Sequence, residues 1–147
     1  GALAAQYNLP PELMRIEITE TAYTGESEAV DKLTADLHTR GFSTYMDDFG
    51  TGQSTLAMLK NVNVDVIKLD RTFVPVDGDR GRSAQIVSSM LEMAQSLHLP
   101  VVIEGIETNE QANMLRHMGA RYAQGFLYYR PMQAKDFEAL LDGGNNN

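Results

Sequence analysis

Five short runs rich in Ile, Val and Tyr recur along the 147-residue chain, and patterns of helical spacing fill the gaps between them. The runs lie near Met14 to Ile18, Ser43 to Met46, Val64 to Leu69, Val101 to Ile103 and Arg121 to Gln124, and each reads as a strand. Strands that alternate strictly with helices require right-handed crossovers, so the pattern predicts a parallel sheet covered by helices. Val30, Leu33 and Leu37 mark the first of these helices, with Gly41 as its stop signal. A second passes through Leu56 and Leu59. A third spans roughly Arg82 to Leu97, with a buried stripe of Ile86, Met90, Ala94 and Leu97, and Pro100 closes it. Thr108 and Gln111 form a capping box for a helix carrying Ala112, Leu115 and Met118, which Gly119 ends. The last helix holds Phe137, Leu140 and Leu141, and the Gly-Asn tail from 143 to 147 has nothing to bury and is expected to be disordered. Residues Gly1 to Tyr7 read as the end of a helix.

An open doubly wound sheet and a barrel of repeated strand-helix units both satisfy this alternation. The polar residues favour the barrel. Glu17, Asp47, Lys68, Glu104 and Gln124 each read as sitting at or just past the C-terminal end of a different strand, and barrel proteins assemble their sites from several strand ends. An open sheet concentrates its contacts at one switch point. Five units are visible where a closed barrel has eight, so the expected architecture is an incomplete one.

The segment Met46-Asp-Asp-Phe-Gly-Thr-Gly52 carries the densest chemistry. Two adjacent ionised carboxylates repel each other, so such a pair is either a solvated turn or is neutralised by a cation. Taken singly, Asp47-Asp48, Glu17 with Glu20, and Glu104 with Glu107 each have an ordinary reading as turn residues or flanking charges. Lys68 is different, because an ammonium inside an apolar run needs an anionic partner. Joint placement at several strand ends argues for one shared site. Carboxylates that hold two divalent ions, together with a cation that orients water or balances charge, suit phosphodiester cleavage. Hard oxygen donors suit magnesium or manganese, whereas zinc would recruit histidine. His38, His98 and His117 lie near helix ends or on a helix and read as structural.

Composition narrows the functional classes. A formal net charge of -8 disfavours non-specific binding to a nucleic acid polymer. No apolar run approaches the ~20 residues of a bilayer span, so no membrane contact by this segment is expected. The absence of cysteine excludes a thiolate metal site and suits a reducing, cytoplasmic setting. Gly50-Thr51-Gly52-Gln53-Ser54-Thr55 lacks the lysine of a Walker loop, and Asp48-Phe49-Gly50 has no preceding catalytic loop of the kinase kind.

The same residues resemble the EAL domain, the bacterial cyclic di-GMP phosphodiesterase family. The resemblance is carried in order by Arg15-Ile-Glu17-Ile-Thr-Glu20, Met46-Asp-Asp-Phe-Gly-Thr-Gly52, Val66-Ile-Lys-Leu-Asp-Arg-Thr-Phe-Val74, Val102-Ile-Glu-Gly-Ile-Glu-Thr108 and Gln124-Gly-Phe-Leu-Tyr-Tyr-Arg-Pro-Met132. It implies a TIM-barrel-like (β/α)8 fold, present here as the later five units. It also implies that Glu17 ligates one metal, that Asp47 bridges two, and that Asp48 and Glu104 hold the second. Lys68 would orient or help deprotonate the attacking water, Glu20 and Glu107 would brace the loop after Asp48, and Gln124 would face the metal-water cluster. Asp70, Arg130 and Pro131 fall in motifs expected on the substrate side. The implied cofactors are two Mg2+ or Mn2+ ions, and the implied reaction converts cyclic di-GMP to linear pGpG.

Departures from the family pattern set the remaining expectations. The Glu-Ala-Leu signature and the upstream asparagine, both metal ligands in the family, are absent, Gln53 replaces a usual tyrosine and Arg130 a usual lysine. The expected partners are therefore cyclic di-GMP and the missing N-terminal part of the same domain, with a homo-oligomer also admitted by unpaired sheet edges. The isolated chain is expected to be inactive. A degenerate family member that senses cyclic di-GMP without cleaving it is the alternative.

Overall fold

The apolar runs form strands β1 (Arg15–Thr19), β2 (Ser43–Phe49), β3 (Val66–Leu69), β4 (Val101–Ile103) and β5 (Tyr122–Ala123). Helices α1 (Ala2–Gln6), α2 (Glu20–Gly25), α3 (Ser27–Thr39), α4 (Arg82–Ser96), α5 (Asn109–His117) and α6 (Ala134–Gly144) lie between and around them. The computed structural model describes residues 2–25, 27–51, 59, 63–75 and 81–144. The helix expected through Leu56 and Leu59 lies outside the described residues, apart from Leu59, which is buried.

All pairings are parallel and the strand order is β1-β2-β3-β4-β5. This order decides between the two architectures left open by the alternation. A doubly wound sheet reverses direction at a switch point, whereas a sheet whose crossovers all step the same way has the winding of a barrel. The fold is α/β, with five parallel strands in TIM-barrel-like succession and β1 and β5 at its edges.

Period-two alternation sorts the side chains. Ile18, Met46, Ile67, Leu69 and Ile103 point toward the helices and pack with Val30, Val87, Leu91 and Leu115 in one core cluster. Residues of opposite parity, among them Glu17, Asp47, Lys68 and, just beyond β4, Glu104, point to the other face. Lys68 thus leaves the apolar pattern without disrupting it, because its neighbours Ile67 and Leu69 serve the helical side.

Two helix faces differ from expectation. On α4 the buried residues are Ala84, Val87, Leu91 and Ala94, while Ile86 and Leu97 are exposed. The observed stripe keeps Ala94 and a partly buried Met90 but turns toward Val87 and Leu91, which join the core cluster with Ile67, Leu69 and Ile103. On α3, Leu33 is exposed and Thr34 is fully buried; the Thr34 hydroxyl donates to the Asp31 carbonyl at 2.9 Å, which removes the penalty for burying it. Gly41 follows α3 at φ +83°, a left-handed conformation that lets the Phe42 N–H reach back to the Leu37 carbonyl at 3.0 Å. The capping box forms as read: Thr108 accepts from the Gln111 N–H and the Gln111 side chain returns to the Thr108 N–H. Helix α6 continues through Gly144, so Gly143 and Gly144 belong to it rather than to the tail, and residues 145–147 lie outside the described residues.

Candidate metal centre

Lys68 is the hub of the site. Only 8% of its side chain is exposed, and Nζ lies 2.8 Å from Glu17 Oε1, 2.8 Å from Asp47 Oδ1 and 3.0 Å from Glu104 Oε1. One ammonium therefore ties together carboxylates from three other segments: mid-β1, late β2 and the residue just past β4. Burial works to lower the Lys68 pKa, but the hydrogen bonds it donates to Asp47, Glu17 and Glu104 outweigh it and hold the pKa above the ordinary lysine range. Lys68 is a firmly charged donor.

Asp47, Asp48 and Glu104 each offer an oxygen, and the three oxygens lie within 4.8 Å of one another. Adjacent residues of a regular strand point to opposite faces, so Asp47 and Asp48 can converge only if the strand is irregular. It is irregular here. The β2–β3 register shifts between Met46 and Phe49, and Asp48 takes φ +55°, a conformation that Asp tolerates better than most side chains. Three carboxylate oxygens at this spacing fit a hard divalent cation such as Mg2+ or Mn2+. Glu17 stands outside that triad and joins it through Lys68.

The other residues singled out from the sequence fall into two groups. Glu20, at the start of α2, is fully buried and its Oε2 accepts from the Gly50 N–H at 2.8 Å, so it does hold the first residue of the loop after β2. Asp70 caps the 3-10 turn Arg71–Phe73 by accepting from the Thr72 N–H at 2.8 Å, and Thr72 lowers its pKa. Glu107 is exposed, and its N–H donates to Gln111 Oε1 at 2.9 Å; most of the loop it was expected to brace lies outside the described residues. Gln124 follows β5, with its N–H on the Ile103 carbonyl and its carbonyl receiving the Ile106 N–H. Gln124 lines a cavity of about 450 Å³ together with Phe126, Tyr129, Arg130, Pro131 and Phe137. Arg130 stacks over the Phe126 ring at 4.6 Å.

The histidines stay out of the site. His38 Nε2 lies 3.0 Å from Thr44 Oγ1 and 2.9 Å from Asp65 Oδ2, where it secures the start of β2. His117 Nδ1 pairs with the Asn113 carbonyl, and His98 is exposed after α4. Sequence reasoning missed Arg71 and Phe73, which press against Gly105 and Gly50 beside the carboxylates. The signal in the sequence is a glycine close behind each carboxylate, Gly50 after Asp48 and Gly105 after Glu104.

The fold and the cluster define a barrel-type α/β protein whose strand-end carboxylates suit a divalent cation. The chain belongs to the EAL domain family, whose sequence profile matches residues 1–131. RocR of Pseudomonas aeruginosa, named a cyclic di-GMP phosphodiesterase, is 38% identical over 143 residues, covering 97% of this chain and 36% of RocR. The EAL domain of Mycobacterium smegmatis DcpA superposes with a TM-score of 0.88 at 34% identity, covering 97% of this chain and 64% of that one. Klebsiella pneumoniae BlrP1, solved as a complex with manganese and cyclic di-GMP, gives a TM-score of 0.77 at 34% identity over 84% of this chain and 31% of that one. The chain spans between 17% and 36% of the length of the curated relatives it matches. Among the described residues no helix is long and apolar enough to cross a membrane.

Proposed function

We propose that this chain carries the metal-binding and water-activating part of a cyclic di-GMP phosphodiesterase that hydrolyses one phosphodiester to give linear pGpG. The observation that carries this reading is the convergence of Asp47, Asp48 and Glu104 within 4.8 Å around the buried Lys68. Relatives named as cyclic di-GMP phosphodiesterases, and a neighbour solved with manganese and that dinucleotide, support the substrate and the metal class.

In this reading Glu17, Asp47, Asp48 and Glu104 would hold two divalent ions, Mg2+ or Mn2+, with Asp47 serving both, Glu17 the first, and Asp48 and Glu104 the second. Bound there, the ions would neutralise the phosphate charge and supply an activated water at neutral pH. Lys68 keeps the carboxylates in register through all three of its N–H donors, and ions taking up those carboxylates would release a donor to orient the attacking water. Its three carboxylate contacts place it for orientation and charge balance at the site. Glu20 fixes the backbone after Asp48 through Gly50. Gln124, Arg130 and Pro131 belong to the substrate side, where the Arg130–Phe126 stack and Tyr129 offer flat faces to a base. A net-acidic chain can hold a dianionic dinucleotide because cations lie between them. A chain without cysteine suits cytoplasmic chemistry.

Barrel sites draw on the ends of several strands, and the family's signature ligands lie outside this segment, so we expect the segment alone to give no turnover and a complete domain to be active. The test is incubation of the complete EAL domain carrying this segment with cyclic di-GMP and Mg2+. Formation of pGpG, abolished in Asp47→Asn, supports the reading. Binding of cyclic di-GMP without turnover in the unaltered domain would replace it with the sensor function.

A further inference from the structure

This inference rests on Asp47, Asp48 and Glu104 acting as one cation-holding group. After Lys68-Leu69-Asp70 the chain makes the 3-10 turn Arg71–Phe73, which lies between the loops that follow β2 and β4. On one side the Phe73 ring occupies the place of a side chain at Gly50; a Cβ there would fall 2.6 Å from the ring's Cε2 and Cζ. On the other side Arg71 does the same at Gly105; a Cβ there would overlap the Arg71 Cβ and lie 3.4 Å from its Cα. Gly50 comes two residues after Asp48, and Gly105 comes one residue after Glu104. Their φ values of +93° and +74° explain a preference for glycine, but not why both glycines face the same three-residue turn.

Strand β3 grips these loops from the sheet side as well. Lys68 bonds Asp47 and Glu104, and the Leu69 carbonyl accepts from the Glu104 N–H at 3.0 Å. We propose that the Arg71–Phe73 turn is the spacer that sets the separation of Asp47-Asp48 from Glu104, with Arg71 and Phe73 as positioning residues seated on Gly105 and Gly50. Such a device matters because ions of this class demand near-ideal ligand geometry at about 2.0–2.1 Å, which leaves little room for a shifted carboxylate.

The test uses the complete EAL domain carrying this segment, with Gly105→Ala, Arg71→Gly, the double variant, and Asp47→Asn as the metal-site control. Two quantities are read: NMR hydrogen exchange of the Glu104 N–H, which needs no metal, and Mn2+ affinity by electron paramagnetic resonance. Gly105→Ala should speed Glu104 exchange and weaken Mn2+ binding by about 10-fold or more, the usual scale for outer supports of metal ligands. Adding Arg71→Gly should bring both most of the way back, although the positive φ at 105 persists. Backbone strain alone would not be rescued in this way, so a double variant as impaired as the single one overturns the spacer. Phe73→Leu reads the other seat, with faster exchange expected at the Gly50 N–H, which donates to Glu20; unchanged exchange there would also overturn it. If the exchange results hold but the unaltered domain binds Mn2+ no more tightly than Asp47→Asn, the spacer stands and the metal reading of the cluster fails.

Discussion

Replacing Lys68 by methionine keeps the apolar stem and removes one positive charge from the middle of three carboxylates. The side chains of Asp47 and Glu104 are 22% and 18% exposed, so water screens them little, whereas Glu17 at 48% is screened considerably. Removing one partner of a buried ion pair costs about 3–5 kcal/mol, while an exposed pair is worth less than about 1 kcal/mol. The two sheltered carboxylates dominate, and the lower end of the buried range is appropriate because neither is fully enclosed. We therefore expect Lys68→Met to lose about 3 kcal/mol at pH 7, or about 6–12 °C in Tm for a unit of this size. A divalent cation bound to the same carboxylates should replace much of the missing charge. At about 100 times its Kd it would return about 2.7 kcal/mol. The assay is thermal and urea unfolding followed by circular dichroism, in EDTA and in a Mn2+ series. A variant as stable as the parent in EDTA would refute the claim that Lys68 is the electrostatic hub.

Further expectations concern the supports of the site and of the core. Asp70→Ala should cost about 1 kcal/mol as a lost cap, with Asp70→Asn retaining most of it; because the Asp70 pKa is lowered, its contribution is present above about pH 4 and fades as the pH falls, which urea titrations at neutral and acid pH would show. Tyr23, buried and hydrogen-bonded to Asp31, has its pKa pushed up to about 12, so its folded-state proton is held tightly and stability should fall as the pH rises from about 10 toward 12. Tyr23→Phe should flatten that alkaline slope. Ile103→Ala, which empties a fully buried position behind Glu104, should cost about 2–5 kcal/mol by urea denaturation and weaken Mn2+ binding as well.

The parallel sheet and the carboxylate cluster were legible because each depends on features written locally. Alternation of runs implied parallel crossovers, and polar residues at successive strand ends implied one face. The rotated stripe on α4 was not legible, because Ile86 and Val87 are equally apolar and only the packed sheet chooses between them. Burial of Thr34 in place of Leu33 was hidden for a related reason: a hydroxyl satisfied by its own helix looks polar in sequence and behaves as filler in the core. At the site, Lys68 declared itself by interrupting an apolar run, and its union with Glu17, Asp47 and Glu104 followed from strand parity. Asp48 reached the cluster through a bulge and a positive φ, which a residue count along a regular strand would have denied. The contacts of Arg71 and Phe73 with the two glycines depend on a turn whose direction no local pattern specifies.

The central claim is that Asp47, Asp48 and Glu104 hold catalytic divalent ions for cyclic di-GMP hydrolysis. Anomalous diffraction at the manganese edge, from crystals of the complete domain grown with Mn2+ and cyclic di-GMP, tests it most directly. The account predicts anomalous peaks about 2.2 Å from carboxylate oxygens of Asp47, Asp48 and Glu104, with Asp47 shared between two peaks and a phosphate oxygen on the far side. Manganese bound at other residues, or bound dinucleotide with no peak at these three carboxylates, would contradict it.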